Sequence, residues 1–126
     1  MITQQTLTEE LVREHLNGFS LYRLTDLVEF DFDSRDIFYT EKSIYRPSYD
    51  VTQFSLSLTF PAHIHSFSIN PNFRGEQFGK ELYDLVEDIF VSAECPEIYL
   101  HPKIQAIGFW KKMGFEEYFN DMVKRF

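Results

Sequence analysis

The segment Ile69-Asn70-Pro71-Asn72-Phe73-Arg74-Gly75-Glu76-Gln77-Phe78-Gly79-Lys80 restricts the fold of this chain more than any other. The stretch from His63 to Asn70 reads as a strand leading into it. From about Gly75 a helix follows, with Phe78, Leu82, Leu85, Val86, Ile89 and Phe90 on one face. Glu76, Glu81, Asp84, Glu87 and Asp88 fall mostly elsewhere on the wheel. Pro96 lies beyond the helix, and Glu97 to His101 forms another short strand. Strand, helix and strand in that order require a crossover, so the two strands are parallel neighbours or nearly so. The junction between strand and helix is also a chemical feature. Free backbone N–H groups and the positive end of the helix dipole suit phosphate oxygens there. Gly75 and Gly79 let a ligand approach the backbone, and Lys80 adds charge. Packing accounts for many glycine turns of this kind, so the junction alone leaves both readings open.

The remaining elements extend this unit into a mixed sheet. Thr6 and Glu9 have the spacing of a capping box, and Leu11, Val12, His15, Leu16 and Phe19 form one helical stripe that ends near Asn17-Gly18. His15 reads most simply as a helix-surface or boundary residue. Leu27, Val28, Phe30 and Phe32 suggest a strand, followed by a turn at Asp33-Ser34-Arg35-Asp36. Ile37 to Tyr45 reads as a second strand or an irregular segment, broken at Pro47-Ser48. Phe54, Leu56, Leu58 and Phe60 alternate with Ser55, Ser57 and Thr59, as a half-buried strand does. After Glu97–His101 a second helix runs from Ile104 to Met113 and stops at Gly114. Phe115–Phe119 and Met122–Phe126 close the chain as two strands around Asn120-Asp121. The expected fold class is α/β, with one mixed sheet flanked by helices over a single domain of residues 1–126.

Composition bears on what such a fold would bind. A chain that is 44% hydrophobic and 17% aromatic has ample material for a core. Its net charge of −8 repels nucleic-acid phosphates and disfavours an anionic membrane surface. The same charge suits a cationic partner or an amine substrate, although it also serves solubility. A local basic patch remains compatible with the total. The single cysteine, Cys95, excludes an intrachain disulfide and points to an intracellular, cytoplasmic protein. It lies between Glu94 and Pro96 with no basic neighbour to stabilise a thiolate, so it reads as packing rather than as a nucleophile. No apolar run approaches the ~20 residues that a membrane span needs.

The junction resembles motif A of the GNAT acetyltransferase superfamily, an Arg or Gln followed by x-x-Gly-x-Gly or Ala. Arg74 opens it, Gly79 closes it, and Ile69 to Pro71 supplies the usual apolar-x-Pro lead. Ala106-Ile107-Gly108-Phe109-Trp110-Lys111-Lys112-Met113-Gly114-Phe115 is similar to motif B, whose helix ends in a Lys-x-Gly-Phe-like turn. Four of the five glycines fall in these two segments, which together span about residues 63–119. Both motifs in the right order, with a strand between, form a much more specific signal than either alone. The N-terminal half is similar only in its order of elements.

The resemblance implies a concrete site. The strands near His63–Asn70 and Glu97–His101 should splay apart, with the pantetheine arm of acetyl-CoA in the gap. Backbone groups of Phe67, Ser68 and Ile69 would pair with the arm. The amides of Arg74, Gly75, Glu76, Gln77, Phe78, Gly79 and Lys80 would hold the pyrophosphate. Three residues depart from the family pattern. Gln77 occupies the place of the middle glycine, and its Cβ would crowd the pyrophosphate. Trp110 stands where many members have the tyrosine that protonates the leaving thiolate, leaving that role empty or to water or Tyr99. Core packing is the simpler reading of Trp110. Lys103 replaces an Asn that contacts the cofactor and would instead reach a phosphate.

For a general base, counting back from Arg74 brings His63 to the position of a glutamate used by histone-modifying relatives. His63 and His65 lie two apart on one strand and share a face. An imidazole with an unperturbed pKa of ~6.5 is a competent base near neutral pH. Partly exposed strand-entry histidines with no role are the simpler reading of His63 and His65, and His101, at the end of the neighbouring strand, is the other candidate near the gap. The resemblance thus implies an acetyl-CoA-dependent N-acetyltransferase. Its acceptor would be an amine-bearing small molecule, or a lysine or N-terminus of a protein or peptide, attacked directly with no covalent enzyme intermediate. The acidic balance argues against tRNA-directed members, and the chain would be a monomer or homodimer. The alternative is a catalytically degenerate domain that binds CoA or a protein partner. A bare structural module leaves the paired motifs unexplained.

Overall fold

The structure is a computed structural model that describes residues 9–42 and 51–126. Three α-helices and seven strands are described in it. They are α1 (Glu9–Leu16), β1 (Leu27–Asp31), β2 (Asp36–Thr40), β3 (Gln53–Ser57), β4 (Ala62–Ser68), α2 (Phe78–Ser92), β5 (Glu97–Leu100), α3 (Ile107–Lys112), β6 (Glu116–Tyr118) and β7 (Asp121–Arg125). Short 3₁₀ turns at Pro71–Phe73 and Ile104–Ala106 precede α2 and α3. The strands make one sheet in the order β1-β2-β3-β4-β5-β7-β6. Only β4 and β5 pair in parallel, as their helical crossover requires, and every other neighbour is antiparallel.

Strand alternation divides the sheet into two faces. Ile37, Tyr39, Phe54, Leu56, Ala62, Ile64, Ile98, Leu100 and Met122 are buried in the core with Val12 and Leu16 of α1. Leu82, Tyr83, Leu85, Val86, Ile89 and Phe90 of α2 complete that layer. Each such side chain contributes roughly 1.5–3 kcal/mol on burial, so α2 is fixed by its apolar face far more than by helix propensity. The alternate positions Phe38, Ser55, His63 and Tyr99 point to the second face, where they are partly exposed.

Several boundaries differ from the sequence expectation for local reasons. β3 ends at Ser57, and Phe60 leaves the alternation with 80% of its surface exposed. Leu58 is still buried, with its amide bonded to the Arg35 carbonyl. α2 begins at Phe78 rather than near Gly75, because Gly75 and Gln77 both have positive φ and cannot continue a right-handed helix. The last hairpin turns on Phe119-Asn120, since Tyr118 already pairs with Asp121, and Phe119 takes a φ of 55°. Thr6 of the capping pair Thr6–Glu9, the distal part of the Ile37–Tyr45 segment and the break at Pro47-Ser48 fall outside the described residues.

Candidate functional site

The site is an opening between two parallel strands. β4 and β5 share only the pairs Ala62↔Ile98, His63↔Tyr99 and Ile64↔Leu100. β5 stops at Leu100 and leads to Pro102, which has no N–H to extend the ladder. β4 continues to Ser68 with its β5-facing edge unpaired. A bulge adds to the divergence: Ser55 pairs with Ser66 and Leu56 with Ile64, so His65 is the extra residue on β4. The splay expected from the sequence is therefore present, and its vertex lies at Ile64 and Leu100.

A cleft of about 760 Å³ opens from this gap. Phe67, Ser68 and Ile69 line it from β4, and Phe73, Arg74, Gly75, Gln77, Gly79 and Lys80 from the junction. Lys103, Gln105, Ala106, Phe109, Trp110, Lys112 and Met113 form the opposite wall. Of the residues expected at the site, Glu76 and Phe78 do not line the cleft. The Phe78 ring instead packs edge-on against Phe73 at 5.9 Å. All four charged side chains on the wall, Arg74, Lys80, Lys103 and Lys112, are cations, in a chain whose net charge is −8. Lys80 is 2.8 Å from Asp84 on the exposed helix surface. No carboxylate among the described residues forms an ion pair with Arg74, Lys103 or Lys112.

The junction itself is held from behind. Glu41 accepts bonds from the Asn70 side chain and the Thr52 amide, and the Thr52 hydroxyl accepts from the Asn70 amide. The Asn70 side chain also caps the 3₁₀ turn through the Asn72 amide. Arg74 folds back so that its Nε donates to the Ile69 carbonyl at 3.1 Å, which leaves Phe67 and Ser68 as the freer backbone of the expected trio. Gln77 caps α2 from the left-handed region (φ 66°, ψ 10°) and makes no side-chain cap bond. The amides from Gly75 to Lys80 donate to no backbone carbonyl among the described residues. They therefore present a run of unused donors at the head of a 15-residue helix.

The aromatic wall explains Gly79 and Trp110 together. A Cβ on Gly79 would stand 3.1 Å from the Phe109 ring, so glycine here lets α3 approach α2. Trp110 is buried, edge-on to Phe67, Tyr83, Phe109 and Phe115. Its indole is core packing that also walls the cleft.

Neither His63 nor His65 lines the cleft. They stand at the vertex of the splay, with their rings stacked at 5.8 Å and 12° between planes. The His63 Nδ1 lies 3.1 Å from the Pro61 carbonyl, and its ring is 5.8 Å from Tyr99. The His65 Nε2 lies 2.7 Å from the Ser57 hydroxyl. His101 is exposed beside Asp121 at 3.1 Å. Tyr99 donates its hydroxyl to Glu97, and that bond raises the phenol above its usual range. Cys95 is buried, which pushes its thiol up and agrees with a packing role.

Sequence reasoning missed Phe109 and Lys112 as wall residues and Ser57 and Asp36 as neighbours of His65. For Lys112 the signal was available, because it lies one helical turn beyond Gly108 within motif B. Ser57 and Asp36 carry no such signal, since only the register of three strands brings them to His65.

The pattern of the acetyltransferase (GNAT) family matches residues 46–115, more than half of the chain. The chain therefore belongs to that family. Solved structures agree on the fold. An acetyltransferase from Bacillus cereus superposes with a TM-score of 0.60 at 18% identity, covering 93% of this chain and 86% of its own. The PaiA N-acetyltransferase of Thermoplasma acidophilum, solved in complex with coenzyme A, gives 0.56 at 19% identity over 72% of this chain. Tetrahymena GCN5 gives 0.56 at 16% identity, covering 92% of this chain and 86% of its own. This chain spans 61% of the length of the Thermoplasma protein, and 66% of a GCN5-related N-acetyltransferase from Rhodopseudomonas palustris. No curated protein matches it.

Proposed function

We propose that the chain is an acetyl-CoA-dependent N-acetyltransferase that modifies a primary amine. The observation that carries this reading is the cleft at the β4–β5 splay, whose charged side chains are all cationic. Those residues fit the group. The apolar surfaces of Phe67, Phe109 and Met113 suit a pantetheine arm, and the unused amides from Gly75 to Lys80 suit a pyrophosphate. Arg74 on the junction side and Lys103 on the opposite wall add positive charge to the same cleft. Bound acetyl-CoA supplies an acetyl thioester. Backbone groups of Phe67 and Ser68 would orient the arm along the open edge of β4.

His65, with His63 stacked on it, is the base at the vertex of the splay. The second face of the sheet gives an amine access to these imidazoles. A cationic acceptor, such as a polyamine or a lysine peptide, fits a chain of net charge −8. No helix among the described residues is long and apolar enough to cross a membrane, and a cytoplasmic location belongs to the same proposal.

Thermal unfolding with and without acetyl-CoA tests the reading. A ligand at 100 times its Kd stabilises by about 2.7 kcal/mol, enough for a clear rise in Tm. Acetyl transfer to spermidine and to a lysine peptide is measured alongside. A Tm shift with transfer is the expected result. A shift without transfer to any amine would favour the degenerate, CoA-binding alternative, for which the buried Trp110 is the supporting feature. No shift at millimolar cofactor would overturn both.

A further inference from the structure

Three strands bring together side chains that no motif links. Asp36 opens β2, Ser57 closes β3 and His65 is the bulged residue of β4. Asp36 and Ser57 are directly paired in register, and the Ser57 hydroxyl donates to Asp36 Oδ1 at 2.5 Å. The same hydroxyl is 2.7 Å from His65 Nε2. A serine has one hydroxyl proton, and here it goes to the carboxylate. Toward His65 the oxygen therefore acts as acceptor, and Nε2 must carry the hydrogen. In the neutral imidazole this leaves the lone pair on Nδ1. Ser57 is buried, so its hydroxyl is held within this chain rather than exchanging freely with water. The stacked ring of His63, itself held at Pro61, restricts the plane of His65 from the other side.

Position gives the chain its meaning. The β4–β5 ladder closes at Ile64↔Leu100, and His65 is the next residue on β4. An arm lying along Ile69, Ser68 and Phe67 toward the vertex would point its reactive end at this end of β4.

We propose that Asp36 and Ser57 are positioning residues that fix His65 in the Nε2–H tautomer, with Nδ1 free to accept the proton of the attacking amine. The inference rests on the acetyltransferase reading above. In the step itself, the amine nitrogen forms a bond to the thioester carbonyl carbon and the carbon–sulfur bond breaks. The sulfur leaves with that bond's electron pair. The proton lost by nitrogen is taken by His65 Nδ1 and passed to the leaving sulfur, directly or through water, which restores the neutral imidazole. Asp36 stays ionised throughout and stabilises the transient imidazolium through the Ser57 hydroxyl.

Two kinds of measurement test this. Nitrogen-15 NMR of the imidazoles in the protein without ligand reports the tautomer directly. His65 is expected to carry its hydrogen on Nε2 in the wild type and to become a mixture in Ser57→Ala and Asp36→Ala. Acetyl transfer from acetyl-CoA to spermidine or a lysine peptide reports the consequence. Each variant is expected to lower kcat on the order of tenfold to a hundredfold, within what a general base contributes. The acetyl-CoA Kd should stay within about twofold of wild type, because neither residue lines the cleft. His65→Ala with Ser57→Ala should be no slower than His65→Ala alone, which a merely structural role for Ser57 would not produce. Asp36 is exposed, so Asp36→Ala keeps the test open if Ser57→Ala fails to fold. A His65 hydrogen on Nδ1, or unchanged kcat in both variants of an active enzyme, would overturn the proposal alone. An inactive wild type would instead overturn the acetyltransferase reading, and the catalytic role with it.

Discussion

Gln77 shows at the scale of one residue how this chain departs from its family. The family pattern has a glycine there, and the backbone supplies the reason: φ is 66°, in the left-handed region that side chains with a Cβ rarely occupy. A non-glycine residue in that region costs roughly 1–2 kcal/mol. Gln77→Gly should therefore stabilise the protein, by about 0.5–1 kcal/mol once the greater freedom of the unfolded glycine is counted. Removing a Cβ from the wall should also leave acetyl-CoA binding unchanged or tighter. A lower Tm for Gln77→Gly in chemical or thermal unfolding would show that the glutamine side chain holds the junction by contacts that outweigh its backbone strain. The sequence revealed that Gln77 stood in a glycine's place. It did not reveal that the backbone keeps the glycine conformation, because glutamine carries no signal for positive φ. The Ser57–His65 contact was hidden for a different reason. It depends on a bulge that shifts the register by one residue, and such a shift is invisible to an alternation of two.

Elements were legible where one period dominated. α2 buries the apolar stripe expected from its spacing, and β3 alternates as read through Leu56, after which Ser57 is buried beside Leu58 and Phe60 turns outward. What periodicity could not supply is how elements are clamped. Tyr39 of β2 is fully buried and donates to Asp26, whose carboxylate also accepts from the Arg23 and Lys42 amides. Tyr83 of α2 is buried and donates to Glu87, which Lys124 of β7 also contacts. Burial first, and then the neighbouring carboxylate, holds both phenols protonated far above their ordinary range. The consequence has a definite sign. In the unfolded chain these phenols ionise near pH ~10, whereas in the folded chain they keep their protons. The stabilisation is complete below pH ~10 and is lost as pH rises above it, because only the unfolded state then releases protons. Tm should therefore fall between pH 9 and 11, and Tyr39→Phe should flatten that fall. At neutral pH the same variant should lose about 1 kcal/mol, the usual net worth of a buried hydrogen bond. A Tm of wild type that is level across this range would contradict the role given to both clamps.

Charge is the property that belongs to the whole molecule. Twenty acidic residues against 12 basic ones give a chain that should repel a polyanion, yet the cleft wall gathers Arg74, Lys80, Lys103 and Lys112 without a carboxylate among its lining residues. The total was readable from composition, and the basic patch within it was only an allowance until the splay and α3 brought Lys103 and Lys112 toward the motif A junction. Such a separation suits the proposed pair of ligands, a phosphorylated one in the cleft and a cationic acceptor elsewhere on the surface. Both attractions should weaken as salt shortens the Debye length from ~14 Å at 50 mM to under ~6 Å at 300 mM. Acetyl-CoA should then bind more weakly at 300 mM NaCl by calorimetry, and Lys103→Ala should raise its Kd about threefold to fivefold at low salt, as an exposed charge worth up to ~1 kcal/mol would. Acetyl-pantetheine, which lacks the phosphates, should bind with little dependence on salt and should not distinguish Lys103→Ala from wild type. If acetyl-pantetheine and acetyl-CoA respond alike, the cations do not read phosphate. The cleft would then recognise the arm through its apolar wall and the edge of β4 alone.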